Sequence, residues 1–176
     1  MGDSIAAGIG DPAPGYVDRS WPERLTHALH VVGRELPAYL NLGEVGARTA
    51  EIRRRQLRRA LAFGPDLAIV TAGINDAFRR SFTAAEVEAE LDAIVGPLTG
   101  AGALVVTFGC FDMSRTSFLP LERRAGLSER LHALGELTAN VSQRHGGLHV
   151  DFLRHSEISD DLLSADGLHI NGRGHA

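Results

Sequence analysis

Three short segments of this 176-residue chain carry residue types that do chemistry in combination. Gly2-Asp3-Ser4-Ile5-Ala6-Ala7-Gly8 opens the chain, Gly73-Ile74-Asn75-Asp76 follows a strongly apolar run, and Asp166-Gly167-Leu168-His169 lies near the C-terminus. A serine, a histidine and an aspartate suit nucleophilic acyl transfer. The hydroxyl needs a base to take its proton, and the imidazole needs a carboxylate to fix its tautomer and stabilise its charged form. An asparagine on another loop can donate a side-chain N–H to a developing oxyanion, and losing such a donor costs about 2.7–4 kcal/mol of transition-state stabilisation. Taken singly, each segment is an ordinary set of turn residues, so the weight lies in the combination.

Residues so far apart in sequence meet only if regular elements bring their loops to one place. Leu67–Thr71 is the clearest strand, entered through the breaker Gly64-Pro65-Asp66, and Ala103–Phe108 is a second. Leu148–Phe152 and Ala38–Leu42 are weaker strand candidates. All four are nearly continuously apolar, as strands covered on both faces should be. Helical patterns fall between them. One begins near Pro22 and runs through Leu25, Leu29 and Val32. A second opens on a Thr83/Glu86 capping-box signature and carries Val87, Leu91, Ile94 and Leu98 on one face. A third, capped by Ser128, carries Leu131, Leu134, Leu137 and Val141 and stops at Gly146-Gly147. Strands alternating with helices of this length imply βαβ units and a three-layer α/β/α sandwich with a parallel sheet. In such sheets ligands bind beyond the carboxyl ends of the strands.

Together with Asn41-Leu42-Gly43-Glu44-Val45-Gly46, the three segments resemble the sequence blocks of the SGNH (GDSL-type) hydrolases, in the family's order and across nearly the whole chain. The stretch from Gly10-Asp11-Pro12 to Trp21-Pro22-Glu23-Arg24-Leu25 resembles, more softly, the small bacterial esterase and lipase branch. The resemblance implies a flavodoxin-like parallel sheet and serine ester hydrolysis on a small-molecule ester. It makes Ser4 the nucleophile, His169 the general base and Asp166 the orienting carboxylate. The oxyanion hole would be the backbone N–H groups of Ser4 and Gly46 with the side-chain amide of Asn75, and no metal or organic cofactor is implied. Local chemistry agrees. Small residues and Gly8 after Ser4 suit a helix N-terminus, whose N–H groups favour an adjacent anion. Gly46 lets a carbonyl oxygen approach its N–H closely. Asp166 and His169, three apart, can be joined by one tight turn.

The remaining reactive types have plainer readings. His145 and His149 have a metal-site spacing, but Gly146-Gly147 keeps one helical face from presenting both. His27, His30, His132, His155 and His175 read as surface or helix residues, and Cys110 as a small buried hydrophobe after a strand. The run Arg53-Arg54-Arg55-Gln56-Leu57-Arg58-Arg59 reads as a solvated helix face, helped by Glu51 four residues before Arg55. Trp21 and Phe63 read as packing aromatics. Ile5, Phe78 and the loop from Phe111 to Phe118 lie close enough in sequence to the blocks to line an acyl pocket.

Composition narrows the classes. With 44% hydrophobic and 23% charged residues the chain has ordinary globular content, so residues 1–176 read as one domain. One cysteine excludes an internal disulfide framework, and a net charge of -4 argues against a nucleic-acid partner. All 18 basic residues are arginine, which excludes lysine Schiff-base chemistry. No apolar run approaches the ~20 residues of a membrane span. Without a signal segment as given, a cytoplasmic location is expected, with a secretory signal upstream of residue 1 left open; the oligomeric state is also open. Only Met1 precedes Gly2, and Asn171–Ala176 looks like the start of a helix. The expectation is therefore a chain cut short in its first strand and last helix. A non-catalytic remnant or a ligand-binding module on the same fold stands as the alternative.

Overall fold

Three apolar runs build the sheet, in a computed structural model that describes residues 1–33, 38–117, 119–153 and 159–176. His155 and Phe118 lie outside the described residues. The strands are β1 (Leu67–Val70), β2 (Leu104–Phe108) and β3 (Leu148–Val150), parallel and in the order β1-β2-β3. Register pairs Leu67 with Leu104 and Val106 with Leu148. The first residues extend this sheet beyond β1. The Met1 nitrogen donates to Ile69 O (2.8 Å), Thr71 N to Met1 O (3.2 Å) and Asp3 N to Thr71 O (3.2 Å), and Gly2 bridges Thr71 in parallel.

The helices are α1 (Ser4–Ala7), α2 (Trp21–Gly33), α3 (Thr49–Phe63), α4 (Ile74–Ala77), α5 (Ala84–Gly100) and α6 (Leu121–Arg144). The crossovers β1-α5-β2 and β2-α6-β3 place both long helices on one side, over Ala68, Val70, Val105 and Thr107. There Leu91, Ile94, Leu98, Leu127, Leu131 and Val141 form the core, and α3 packs beside α5. The helix α2 lies on the other side, where Trp21 meets Phe108 with ring centroids 5.2 Å apart. The result is the expected α/β sandwich with a parallel sheet.

Several expectations change. Ala38–Leu42 forms no strand: the Asn41 side chain donates to Ala6 O (2.8 Å) and accepts from Gly43 N (2.9 Å), so side-chain bonds replace a ladder. The third helical pattern begins at Leu121, not Ser128, because Pro120 supplies the entry and the apolar stripe already includes Leu127. Thr83 caps α5 by position, without a side-chain bond. The sheet is not covered evenly on both faces. Alternation sends Leu104, Leu148 and Val150 to the α2 side, where they are 47%, 56% and 38% exposed. The helix α2 lies over the β1 end, across a cavity of about 400 Å³ lined by Trp21, Leu25, Leu40, Phe63 and Ile69, and meets β2 at Phe108 through Trp21. Its own Val32 remains 84% exposed, and Phe63 is exposed rather than packed into the core.

Candidate active site

The segment around Ser4 is built into the core. Asp3 is fully buried and caps α1, accepting from Ile5 N (3.0 Å) and from the Thr71 hydroxyl (3.2 Å). Its second carboxylate oxygen is buried without a hydrogen-bond partner among the described residues. Burial raises its carboxyl from 3.8 to about 6, although both hydrogen bonds and the charge of His169 pull the other way. Gly2 is held on both sides by Gln56, whose side chain accepts from Gly2 N (2.8 Å) and donates to Gly2 O (2.9 Å). Ser4, the first residue of α1, is thereby fixed at the end of a strand-like segment, and Gly8 closes the helix in the left-handed conformation. The Ser4 backbone N–H donates to no protein group among the described residues.

The two other expected oxyanion donors are brought together. The Asn75 amide donates to Ala47 O (3.0 Å), which docks the loop after β1 onto the loop carrying Gly46. Asp76 accepts from Thr49 N (3.0 Å) and so holds the start of α3; burial raises its carboxyl above the ordinary value, against that bond. Gly46 has φ +74°, a conformation that side chains resist, and open space where a Cβ would stand. Its N–H is free of protein acceptors among the described residues. One hydrogen of the Asn75 amide is committed to Ala47, leaving the other to donate elsewhere.

Asp166 and His169 meet as the spacing requires. Asp166 Oδ1 accepts from Leu168 N (2.9 Å) and His169 N (3.0 Å), and Oδ2 lies 2.5 Å from His169 Nδ1. Burial works against the Asp166 carboxylate, but these bonds hold its carboxyl below the ordinary value. With Nδ1 engaged by the carboxylate, Nε2 is the nitrogen left to act as an acceptor. Ser4 Oγ and His169 make no hydrogen bond to each other among the described residues. Catalytic bonds of this kind often close only when substrate is bound.

Residues 1–176 match the profile of the GDSL-like Lipase/Acylhydrolase family. The chain belongs to this family. Its fold is shared with a lipase/acylhydrolase from Enterococcus faecalis at 23% identity and TM-score 0.75, covering 99% of this chain and 86% of that one. TesA matches at 24% identity and TM-score 0.76, covering 99% and 88%. An acetylxylan esterase from Geobacillus stearothermophilus matches at 18% and 0.77, covering 99% and 86%. No curated protein sequence matches. Family and fold make this GDSL-family chain an esterase- or lipase-like hydrolase.

Other reactive side chains lie elsewhere or do other things. Cys110 is buried, which pushes its thiol up to about 12 and leaves it a hydrophobe at neutral pH. His145 bonds Asp92 (3.0 Å) and His149 bonds the Thr107 hydroxyl (2.9 Å). Arg53 pairs with Glu90, and Arg55 with Glu44 and Glu51, on an exposed face as expected. His175 is not a surface residue: it is buried and accepts from Trp21 N (3.3 Å), because the last residues fold back onto α2. Gln56 was hidden inside the arginine run. The only signal was its position four residues from both Ile52 and Ala60, on the buried stripe of α3.

Proposed function

We propose that the chain hydrolyses small carboxylic esters through an acyl-serine intermediate, with Ser4 as nucleophile and a Ser4–His169–Asp166 triad. Ser4 Oγ attacks the ester carbonyl carbon as its proton passes to His169 Nε2. Asp166 holds the ring and stabilises its positive charge without taking the proton. The carbonyl oxygen becomes an oxyanion that accepts from the N–H groups of Ser4 and Gly46 and from the Asn75 amide. The tetrahedral adduct collapses, the ester C–O bond breaks, and His169 returns the proton to the departing alcohol. Water, deprotonated by His169, then attacks the acyl-Ser4 carbonyl; collapse breaks the bond from the acyl carbon to Ser4 Oγ, His169 returns the proton to that oxygen, and the acid is released. These steps call for no metal and no organic cofactor.

The observation that carries this reading is the Asp166–His169 contact at 2.5 Å, with both local backbone N–H groups aimed at the same carboxylate. That arrangement supports the tautomer a general base needs. The acetylxylan esterase neighbour has been solved as catalytic mutants with a serine or a histidine replaced by alanine, which supports serine and histidine roles on this fold. The test is covalent labelling with a fluorophosphonate, followed by peptide mapping. The label is expected on Ser4, absent in Ser4→Ala and strongly slowed in His169→Ala; labelling that persists in Ser4→Ala refutes the nucleophile. A panel of acyl chains and alcohols then identifies the ester.

A further inference from the structure

Between Ser4 and His169 runs a short mechanical link to which the sequence blocks assigned no role. Ile9 N donates to Ser4 O (3.3 Å), so the chain leaving α1 stays tied to the nucleophile residue itself. Two residues later Asp11 reaches the loop that carries Asp166 and His169. Its carboxylate Oδ2 accepts from Ala165 N (2.8 Å), its N–H donates to Ser164 Oγ (2.8 Å), and its carbonyl accepts from Gly172 N (2.8 Å). The contact is close on both sides. A Cβ on Gly10 would stand 1.9 Å from Ile170 O, so only glycine fits there.

Ser164 is the neck of that loop. Its N–H donates to His169 O (2.7 Å), its carbonyl accepts from Gly167 N (2.9 Å), and its hydroxyl donates onward to Ile170 O (3.3 Å). The neighbouring pair Leu163 and Ile170 forms an antiparallel bridge. Gripping Ser164 and Ala165 therefore grips both ends of the segment from which Asp166 and His169 project. Asp11 pairs with no cation among the described residues, so its charge is spent on one backbone N–H.

We infer that Asp11 and Ser164 form a clasp that sets the position of His169 relative to Ser4, making both positioning residues for the hydrolysis proposed above. Ser4 and His169 sit on separate segments, seven residues from Asp11 and five from Ser164 respectively. Displacement of such groups by about an ångström costs about 100-fold in rate. The inference rests on the Ser4–His169 reading, and the two fail in distinguishable ways.

The experiment compares wild type with Asp11→Ala, Asp11→Asn and Ser164→Ala, measuring the rate of fluorophosphonate labelling of Ser4, ester kcat and KM, and thermal melting. The expected result is a fall in labelling rate and kcat of about 10- to 100-fold in Asp11→Ala and Ser164→Ala. KM stays within about twofold and folding is retained, because the clasp aligns reacting groups rather than binding substrate. Asp11→Asn keeps an acceptor oxygen for Ala165 N–H and is expected to recover labelling and kcat to within about threefold of wild type. If Asp11→Ala does not fold, Ser164→Ala carries the same test from the other side of the clasp. Labelling and kcat at wild-type values in the folded alanine variants overturn the clasp, as does an asparagine variant as slow as alanine. Labelling that survives Ser4→Ala instead overturns the reading beneath it.

Discussion

The two halves of the candidate site are built differently. Ser4, Gly46 and Asn75 stand on segments bonded into the core: Asp3 is fully buried, Gln56 encloses the Gly2 peptide, and Asn75 ties the Gly46 loop to the end of β1. Asp166 and His169 stand on a surface turn whose bonds are mostly its own backbone plus the grip of Asp11. The same reaction asks for a fixed cradle around the developing charge and for a base that can close on the serine as substrate arrives. A buried scaffold suits the first and a surface turn the second. Disturbing the cradle should therefore damage stability and rate together, whereas disturbing the turn should damage rate alone.

The largest effect expected is the loss of the proposed nucleophile or base. Ser4→Ala and His169→Ala each lower kcat by about 10⁴- to 10⁶-fold, with the His169 variant melting within a degree or two of wild type because it sits outside the core. A large drop in melting temperature for His169→Ala would break the contrast. Next is Asn75→Ala, expected to lower kcat by about 10²- to 10³-fold and to destabilise the fold, since Ala47 O loses its partner. Steady-state kinetics and urea unfolding on one preparation read both.

Asp3 sharpens the comparison through pH. Its folded value of about 6 lies above the ordinary 3.8, so the folded state binds the proton more tightly than the unfolded chain. The stability this contributes is present below about pH 4 and is lost as pH rises through 6, a change of about 3 kcal/mol from a two-unit shift. Denaturant unfolding from pH 4 to 7 is expected to show that downward contribution in wild type and its absence in Asp3→Asn; equal slopes would remove Asp3 from the account. A smaller effect is expected for Gln56→Leu, about 2–3 kcal/mol of stability, from leaving Gly2 N–H and C=O without their buried partners.

What was legible in the sequence follows physical lines. Runs such as Leu67–Val70 and Leu104–Phe108 announce themselves because apolar, β-branched residues bounded by glycine and proline have few alternatives to a buried strand. Asp166 and His169 were readable because their contact is local. Ala38–Leu42 has strand-like composition too, but composition does not register that Asn41 can satisfy nearby backbone groups itself. The long-range contacts of Gln56, Asp11 and His175 escaped for a shared reason. Each residue acts on backbone or side-chain partners 54 or more residues away, and single-residue chemistry carries no address. The uneven coverage of the sheet was invisible as well, because an apolar side chain looks the same in sequence whether or not anything lies above it.

That uneven coverage has a calorimetric consequence. Unfolding absorbs heat capacity in proportion to the apolar surface newly wetted, and ordinary domains gain about 12–15 cal/mol/K per residue. Leu104, Leu148 and Val150 are already partly wet in the folded state. This molecule should therefore unfold with a heat-capacity increment below that norm, and its stability should vary more flatly with temperature than its size alone would suggest.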